Sequence, residues 1–354
     1  MAGYSDFSFT SLWARLGGAA DKAVIATGNG PKGVVVGLSE TEHTALMSGV
    51  TPLVGELEQC RVSTLETVDR RARLWVPLAG CGTFLALLVS GQGLVAALVF
   101  GIVAAFAGWF VAMGNRSSVY QTEVKRRFAS VISRHLAGFD HVVEPDTDLV
   151  RLHDWQLFPD LQSARTLDRM VGERGGFRVS LSEMSIAYAA NRRNNKDHNL
   201  GDHTLTASVV EVASNSVGEG VMVLTPTDAP LRLLEAQEKA ANLALMPTGD
   251  RDFDSAYHFR TSAPDGAGLL TAQLRAAILA LEKVAPAGRP YLVFMPGSIT
   301  VLFPTRLADL AFHVPPYWIP LDTGTLVAQF ASDLALKNAL LSAVVALSVV
   351  LRGS

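Results

Sequence analysis

Residues 74–113 read LWVPLAGCGTFLALLVSGQGLVAALVFGIVAAFAGWFVAM and carry no charged side chain. One membrane span needs about 20 apolar residues, so the run is too long for one and long enough for two. SGQG at Ser90–Gly93 interrupts it once, and a glycine pair around a polar residue signals a turn. The reading is a transmembrane hairpin of two helices, Leu74–Val89 and Leu94–Met113. The first is short for a bilayer core of about 30 Å, and Pro77 is tolerated if it falls in a first helical turn.

Within the hairpin, Ala97, Gly101, Ala104 and Gly108 form a stripe of small residues on the second helix. Gly82, Ala86 and Ser90 make a similar row on the first. Such faces let helices approach closely, packing the hairpin together or packing copies of it against one another. Neither span holds an ionisable residue, the usual marker of an ion or proton pathway.

The flanks are basic: Arg70, Arg71 and Arg73 before the hairpin, and Arg116, Lys125, Arg126 and Arg127 after it. The loop between is uncharged, so the positive-inside rule puts both termini in the cytoplasm. The same cations stand where anionic lipid headgroups would attract them, or serve only to set topology.

Elsewhere the composition excludes more than it assigns. The chain has 354 residues and a formal net charge of −3, so no global basic field argues for nucleic acid. Hydrophobic residues make up 49% and the mean hydropathy is +0.26, with the excess concentrated in the hairpin. Cys60 and Cys81 lie far apart on one helical region, which opposes a disulfide, and two thiols make no cysteine-rich metal site.

Patterning divides the chain into five regions. Residues 1–50 combine an amphipathic helix with a β-hairpin. Phe9, Leu12, Trp13 and Leu16 recur at helical spacing, packing on the core or resting on the membrane surface, and no cleaved signal peptide is recognisable. GNGPKG at Gly28–Gly33 fits G-x-G-x-x-G, but VVVGL comes next where a dinucleotide site needs a helix, so a hairpin without nucleotide is expected. Residues 51–73 read as a stalk helix, capped by Thr51 with Pro52 at its first position. The hairpin occupies 74–113. Residues 114–139 read as a juxtamembrane basic helix with Tyr120, Val124, Phe128, Val131, Ile132 and Leu136 on one face and Gly138 at its end.

Residues 140–354 read as a cytoplasmic α+β domain with a mainly antiparallel sheet. FRVSLSEMSIAYAA alternates as a strand, LTASVVEVA answers it, and GVMVL and AYHFRT are further strands. APLRLLEAQEKAANLAL and GLLTAQLRAAILALEKV are helical, and PYLVFMPGSITVLFP is a hairpin about Pro296-Gly297. A helix from about Thr323 closes the chain; with Asp333 and Lys337 excluded it is too short for a comfortable span, so it docks on the core or the membrane surface.

This order of parts resembles the bacterial membrane proteins catalogued as domain of unknown function three-one-three-seven. FRVSLSEMSIAYA, GDRDFDSAYHFRTS, RPYLVFMPGSITVLFP and the closing helix after PLDTGTL carry the likeness, over roughly residues 70 to 345. It implies a bacterial inner membrane as the location, and carries no catalytic residue with it.

Candidate chemistry is sparse. DHNLGDH sets Asp197, His198, Asp202 and His203 close together, a donor set suited to zinc, iron or manganese, but within a polar loop that reads first as a solvated turn. His153, Asp154 and Trp155 hint at acid–base work without a nucleophile nearby, and His258 and His313 stand alone in apolar surroundings. No Walker loop, G-x-S-x-G elbow or H-E-x-x-H occurs. The expectation is a non-enzymatic scaffold or adaptor, without cofactor, that binds the bilayer, an unknown protein partner and further copies of itself. The alternatives are a membrane-tethered enzyme with an unrecognised site and an oligomeric pore or membrane-remodelling scaffold.

Overall fold

The computed structural model describes residues 40–113, 116–142, 147–188, 203–214, 220–240, 243–263, 266–305 and 317–353. GNGPKG, the N-terminal amphipathic helix, Asp197, His198, Asp202 and His313 lie outside the described residues. The chain divides into two compact units, Met1–Val131 with Phe312–Ser332 and Ile132–Ala311 with Asp333–Ser354.

In the first unit, α1 runs unbroken over Glu40–Val89. The helix therefore does not begin at Pro52, as the cap-like Thr51-Pro52 pair suggests. Thr51 instead donates its hydroxyl back to the Met47 carbonyl at 2.6 Å, in the middle of the helix. Pro52 and Pro77 both sit inside α1. Each removes a backbone N–H and crowds the carbonyl four residues earlier, at a cost of about 3 kcal/mol in a helix interior.

The polar interruption SGQG closes α1 by a specific device. Gln92 donates its N–H to the Leu87 carbonyl and Gly91 to that of Leu88, at 3.0 and 3.1 Å. Gly91 takes φ 77°, the left-handed value that this pair of bonds requires and glycine supplies at least cost. The Gly93 carbonyl then accepts from Ala97 and opens α2, Leu94–Met113.

Next, α3 (Arg116–Val124) passes through a π-helical turn at Lys125–Ala129 into α4 (Ser130–Ala137). A π turn inserts one residue and rotates the helix beyond it. Tyr120, Val124, Phe128 and Ile132 are accordingly buried, while Val131, assigned to the same face by simple periodicity, is 42% exposed. In the first unit Tyr317 meets Tyr120 edge-on at 6.4 Å, and Phe330 meets Phe128 at 5.0 Å.

The second unit is built on one nine-stranded antiparallel sheet. In chain order it contains β1 (Asp140–Val142), α5 (Leu149–Asp154), β2 (Leu161–Arg174), β3 (Phe177–Tyr188), β4 (His203–Ser214) and β5 (Met222–Pro226). After these come α6 (Leu231–Lys239), β6 (Ala244–Leu245), α7 (Arg251–Ala256), β7 (Tyr257–Thr261), α8 (Gly266–Leu269) and α9 (Ala272–Ala280). The hairpin of β8 (Tyr291–Met295) and β9 (Gly297–Pro304) precedes α10 (Thr323–Gly353). The strand order is β1-β2-β3-β4-β9-β8-β5-β7-β6. Gly175 and Gly176, at φ 59° and 75°, make the tight two-residue turn between β2 and β3 that a right-handed strand twist favours.

One face of the sheet buries an apolar core: Met184, Ile186, Val209, Val293 and Leu302 pack with Trp155, Phe158 and Leu233. On the other face, Asp168 of β2, Glu183 of β3 and Ser208 of β4 are successive register partners and so stand side by side.

Candidate functional site

The helix pair of the first unit shows how its sequence is used. A Cβ at Gly108 would lie 2.6 Å from the Trp75 carbonyl oxygen, so only glycine permits the contact. Gly101 fits between the Gly80 carbonyl and Phe84, where a Cβ would come within 3.2 and 3.1 Å. Ala97 is fully buried and Ala104 half-buried along the same side of α2. On α1 the contact is made by Gly80, not by the expected row: Gly82 has nothing within 4 Å, and Ala86 is exposed.

Away from this seam the surface is apolar. Leu78, Leu85, Phe100, Ile102, Phe106 and Phe110 are each more than half exposed. A soluble monomer rarely shows a contiguous apolar patch beyond a few hundred Å². Among the described residues three helices are long and apolar enough to cross a membrane: Met47–Val89, Leu94–Met113 and Thr323–Arg352.

The basic residues are partly neutralised by neighbours. Arg70 and Arg71 are exposed, and Arg73 pairs with Asp69 at 2.6 Å. Arg126 and Arg127 both grip Glu123, and Arg127 also reaches Glu56 of α1 at 3.4 Å. The Arg126 hydrogen bond, reinforced by Arg127, holds the Glu123 carboxyl below the usual carboxylate range. Lys125 is half-buried in the π turn, and only the backbone of Arg116 is described.

A second polar device ties residues 317–321 to α1. Arg61, 7% exposed, chelates Glu58 and donates to the Tyr317 carbonyl at 3.0 Å. Glu58 in turn accepts the Leu321 N–H at 3.0 Å. The Arg61 hydrogen bond, aided by Leu321, lowers the Glu58 carboxyl against the opposing effect of desolvation.

Among the described residues a buried ionisable set lies in the second unit, under α10. Lys337 is 2% exposed and donates to both the Glu183 carboxylate and the Ser208 hydroxyl. Glu183 is 1% exposed, and its register partner Asp168 is 5% exposed with His141 Nε2 at 3.3 Å. Further along, Arg174 donates to Asn338 at 3.0 Å and Arg352 lies over the Phe177 ring at 4.3 Å. Lys337 and Arg352 are about 22 Å apart along α10, and their partners Glu183 and Phe177 about 20 Å apart along β3. The helix therefore lies along the strand. Sequence reading missed this set, although an isolated lysine in an apolar helix and a glutamate in an alternating strand are both visible there.

An open cleft of about 450 Å³ occurs beside α6, with His153, Gln156, Asp160, Gln237 and Lys239 in its wall. Gln237 accepts from Thr225 and donates to the Leu157 carbonyl, and Gln156 holds a left-handed backbone at φ 54°. Asp154 is exposed nearby, Trp155 is buried, and His258 sits half-buried in β7. Of DHNLGDH only the backbone of His203 is described, opening β4 opposite Tyr188. Among the described residues no group of three His, Cys, Asp or Glu side chains could hold a metal.

No family model matches the chain, and no curated protein matches it. A solved structure that does is the crystal structure of the mycobacterial trehalose monomycolate transport factor A, TtfA. It is 14% identical, the match covers 60% of this chain and 95% of that one, and the TM-score is 0.29. A likeness that slight bears no functional weight. What the fold supports is an α+β protein with helices suited to a membrane.

Proposed function

We propose that the chain is an integral protein of a bacterial inner membrane, crossing it twice through the α1–α2 hairpin and holding its α+β unit in the cytoplasm as a scaffold or adaptor. One observation supports this above others. The two helices close on each other through glycine, while their charge-free outer faces show large apolar side chains to the surroundings. Lipid is the solvent such a surface fits.

The dimensions agree with that reading. From Arg73 to the turn is about 27 Å of helix, near the 30 Å of a bilayer core. The contact of Trp75 with Gly108 brings Trp75 and Trp109 to one level, beside Arg73. Tryptophan favours that interfacial depth, and Arg70, Arg71 and Arg73 then meet the headgroups. Arg127 touches Glu56, about 26 Å further from the membrane along α1. A Debye length of about 8 Å leaves Arg126 and Arg127 out of headgroup reach, so their work is to join α3 to α1.

In this reading residues 333–353 of α10 belong with the cytoplasmic unit, because Lys337 and Asn338 make their polar contacts with β2, β3 and β4. A non-enzymatic role is supported by the fate of the buried ionisable groups: Glu183 and Lys337 serve to hold α10 down. Self-association is supported by Gly82 and Ala86, small residues left facing outward. Reporters fused at Met1 and at Ser354 should both read cytoplasmic, and a cysteine at Ser90 should react with an impermeant reagent from outside. A periplasmic signal at either terminus would remove the two-pass topology. Recovery from mild detergent with no stoichiometric protein partner would remove the scaffold role and leave the anchor standing.

A further inference from the structure

We infer that Lys337 decides the destination of α10: it keeps a helix of near-spanning length out of the bilayer and commits it to Glu183 on the sheet. The inference rests on the two-pass reading proposed above and concerns only the final helix.

By length and composition α10 is a candidate span, over Thr323–Arg352. Charged residues break it at Asp333, Lys337 and Arg352. Between Lys337 and Arg352 the uncharged stretch is about 21 Å long, well short of a core of about 30 Å. Without the lysine, the stretch from Leu334 to Leu351 is about 27 Å, as long as the segment from Arg73 to the hairpin turn. One side chain thus separates a segment too short to insert from one that matches this protein's own anchor.

The sheet supplies the other half of the choice. A lysine near the centre of a membrane helix is disfavoured on insertion scales. On the sheet the same ammonium finds Glu183 of β3 and Ser208 of β4, with 2% of Lys337 left exposed. The carboxylate is specific to the docked state, so the lysine penalises one destination and is satisfied in the other. Leu334, Leu340, Leu341, Val344 and Leu347 are buried in that state and would suit lipid equally well. Apolar character alone does not choose.

The test is C-terminal topology, read with a reporter at Ser354 in the full chain in its membrane. Wild type and Lys337→Arg should report cytoplasm. Lys337→Leu should move a measurable fraction, at least a tenth, of the reporter to the far side. Lys337→Gln breaks the pair but leaves a polar group in the helix, and should stay cytoplasmic even where the sheet is loosened. Equal topology for Lys337→Leu and wild type would overturn the inference, as would equal translocation in Lys337→Gln and Lys337→Leu, which would make undocking alone sufficient. Failure of the two-pass reading shows separately, as a wild-type reporter outside the cytoplasm.

Discussion

Removing Lys337 should damage the sheet unit more than neutralising Glu183 does, although both changes break the same ion pair. Stripping one partner from a buried pair costs about 3–5 kcal/mol, because the other charge stays buried without it. Here the two losses differ in what remains. Asp168 and Glu183 are register partners, with their Cβ atoms about 5 Å apart. At an effective dielectric of about 20, two carboxylates at that spacing repel by about 3 kcal/mol. Lys337→Met keeps that repulsion while removing the cation that offsets it, so its cost belongs at the upper end of the range, about 5 kcal/mol. Glu183→Gln removes the repulsion along with the attraction and belongs near 3 kcal/mol. The double variant Lys337→Met/Glu183→Gln buries neither charge and should return to within about 1 kcal/mol of the parent. Hydrogen exchange of the β3 amides reads this unit by itself. Protection should fall by roughly 10²-fold for Glu183→Gln and 10³-fold or more for Lys337→Met, at about 1.4 kcal/mol per tenfold. The reverse ranking would show that Asp168 and Glu183 do not interact as their register implies. A double variant as weak as the sum of the singles would mean that the pair is not coupled at all.

Single contacts carry further outcomes. Gly108→Ala puts a Cβ 2.6 Å from the Trp75 carbonyl oxygen, so α1 and α2 must part by about 1 Å there, at a cost of about 1–3 kcal/mol; Gly82→Ala, in open space, should leave spin-label distances between the helices unchanged. Glu58 has its carboxyl lowered by Arg61, so its hold on Leu321 is complete above the ordinary glutamate value of about 4.3 and fades as pH falls through the lower one. The Leu321 amide resonance should titrate with a midpoint below 4.3, and a midpoint above it would contradict the assigned hydrogen bonds. Charge removal at Arg70 and Arg71 should weaken association of the solubilised chain with anionic over neutral vesicles severalfold. The same removal at Arg126 and Arg127 should leave that preference intact; equal losses would put α3 at the headgroups.

Most of the sheet is legible in the sequence because its strands obey a two-residue period. FRVSLSEMSIAY alternates cleanly, and β3 forms where that pattern lies, paired with β4. LQSARTLDRMVGER carries charge toward both faces and does not read as a strand, yet it forms β2, the longest in the sheet at 14 residues. Its inner face combines charge pairing and close approach with little apolar bulk of its own beyond Met170. Asp168 meets His141, and Gly172 lies so near Phe139 that a Cβ would come within 2.4 Å of the ring. Hydropathy cannot report a buried face of that kind. The start of α1 misleads for a related reason: Thr-Pro is a strong local signal for a first turn, and the helix overrides it from Glu40.

The two candidate sites differ in the same way. On α2 the small-residue stripe can be placed because nearly every small residue on it shares one side. On α1 the choice between Gly80 and Gly82 is a rotation of about 200°, and an all-apolar helix offers no polar face to fix that rotation. Only the partner does. For Lys337 the sequence holds a clear sign, a lone cation in an apolar helix, but composition alone makes it merely a limit on span length. Its meaning depends on Glu183, more than a hundred residues away and itself hidden in a strand that looks half-wet. A buried ion pair is thus read from sequence as two separate defects, one in a helix and one in a strand. Where two such defects occur in elements that must both be buried, each is the best available evidence for the other.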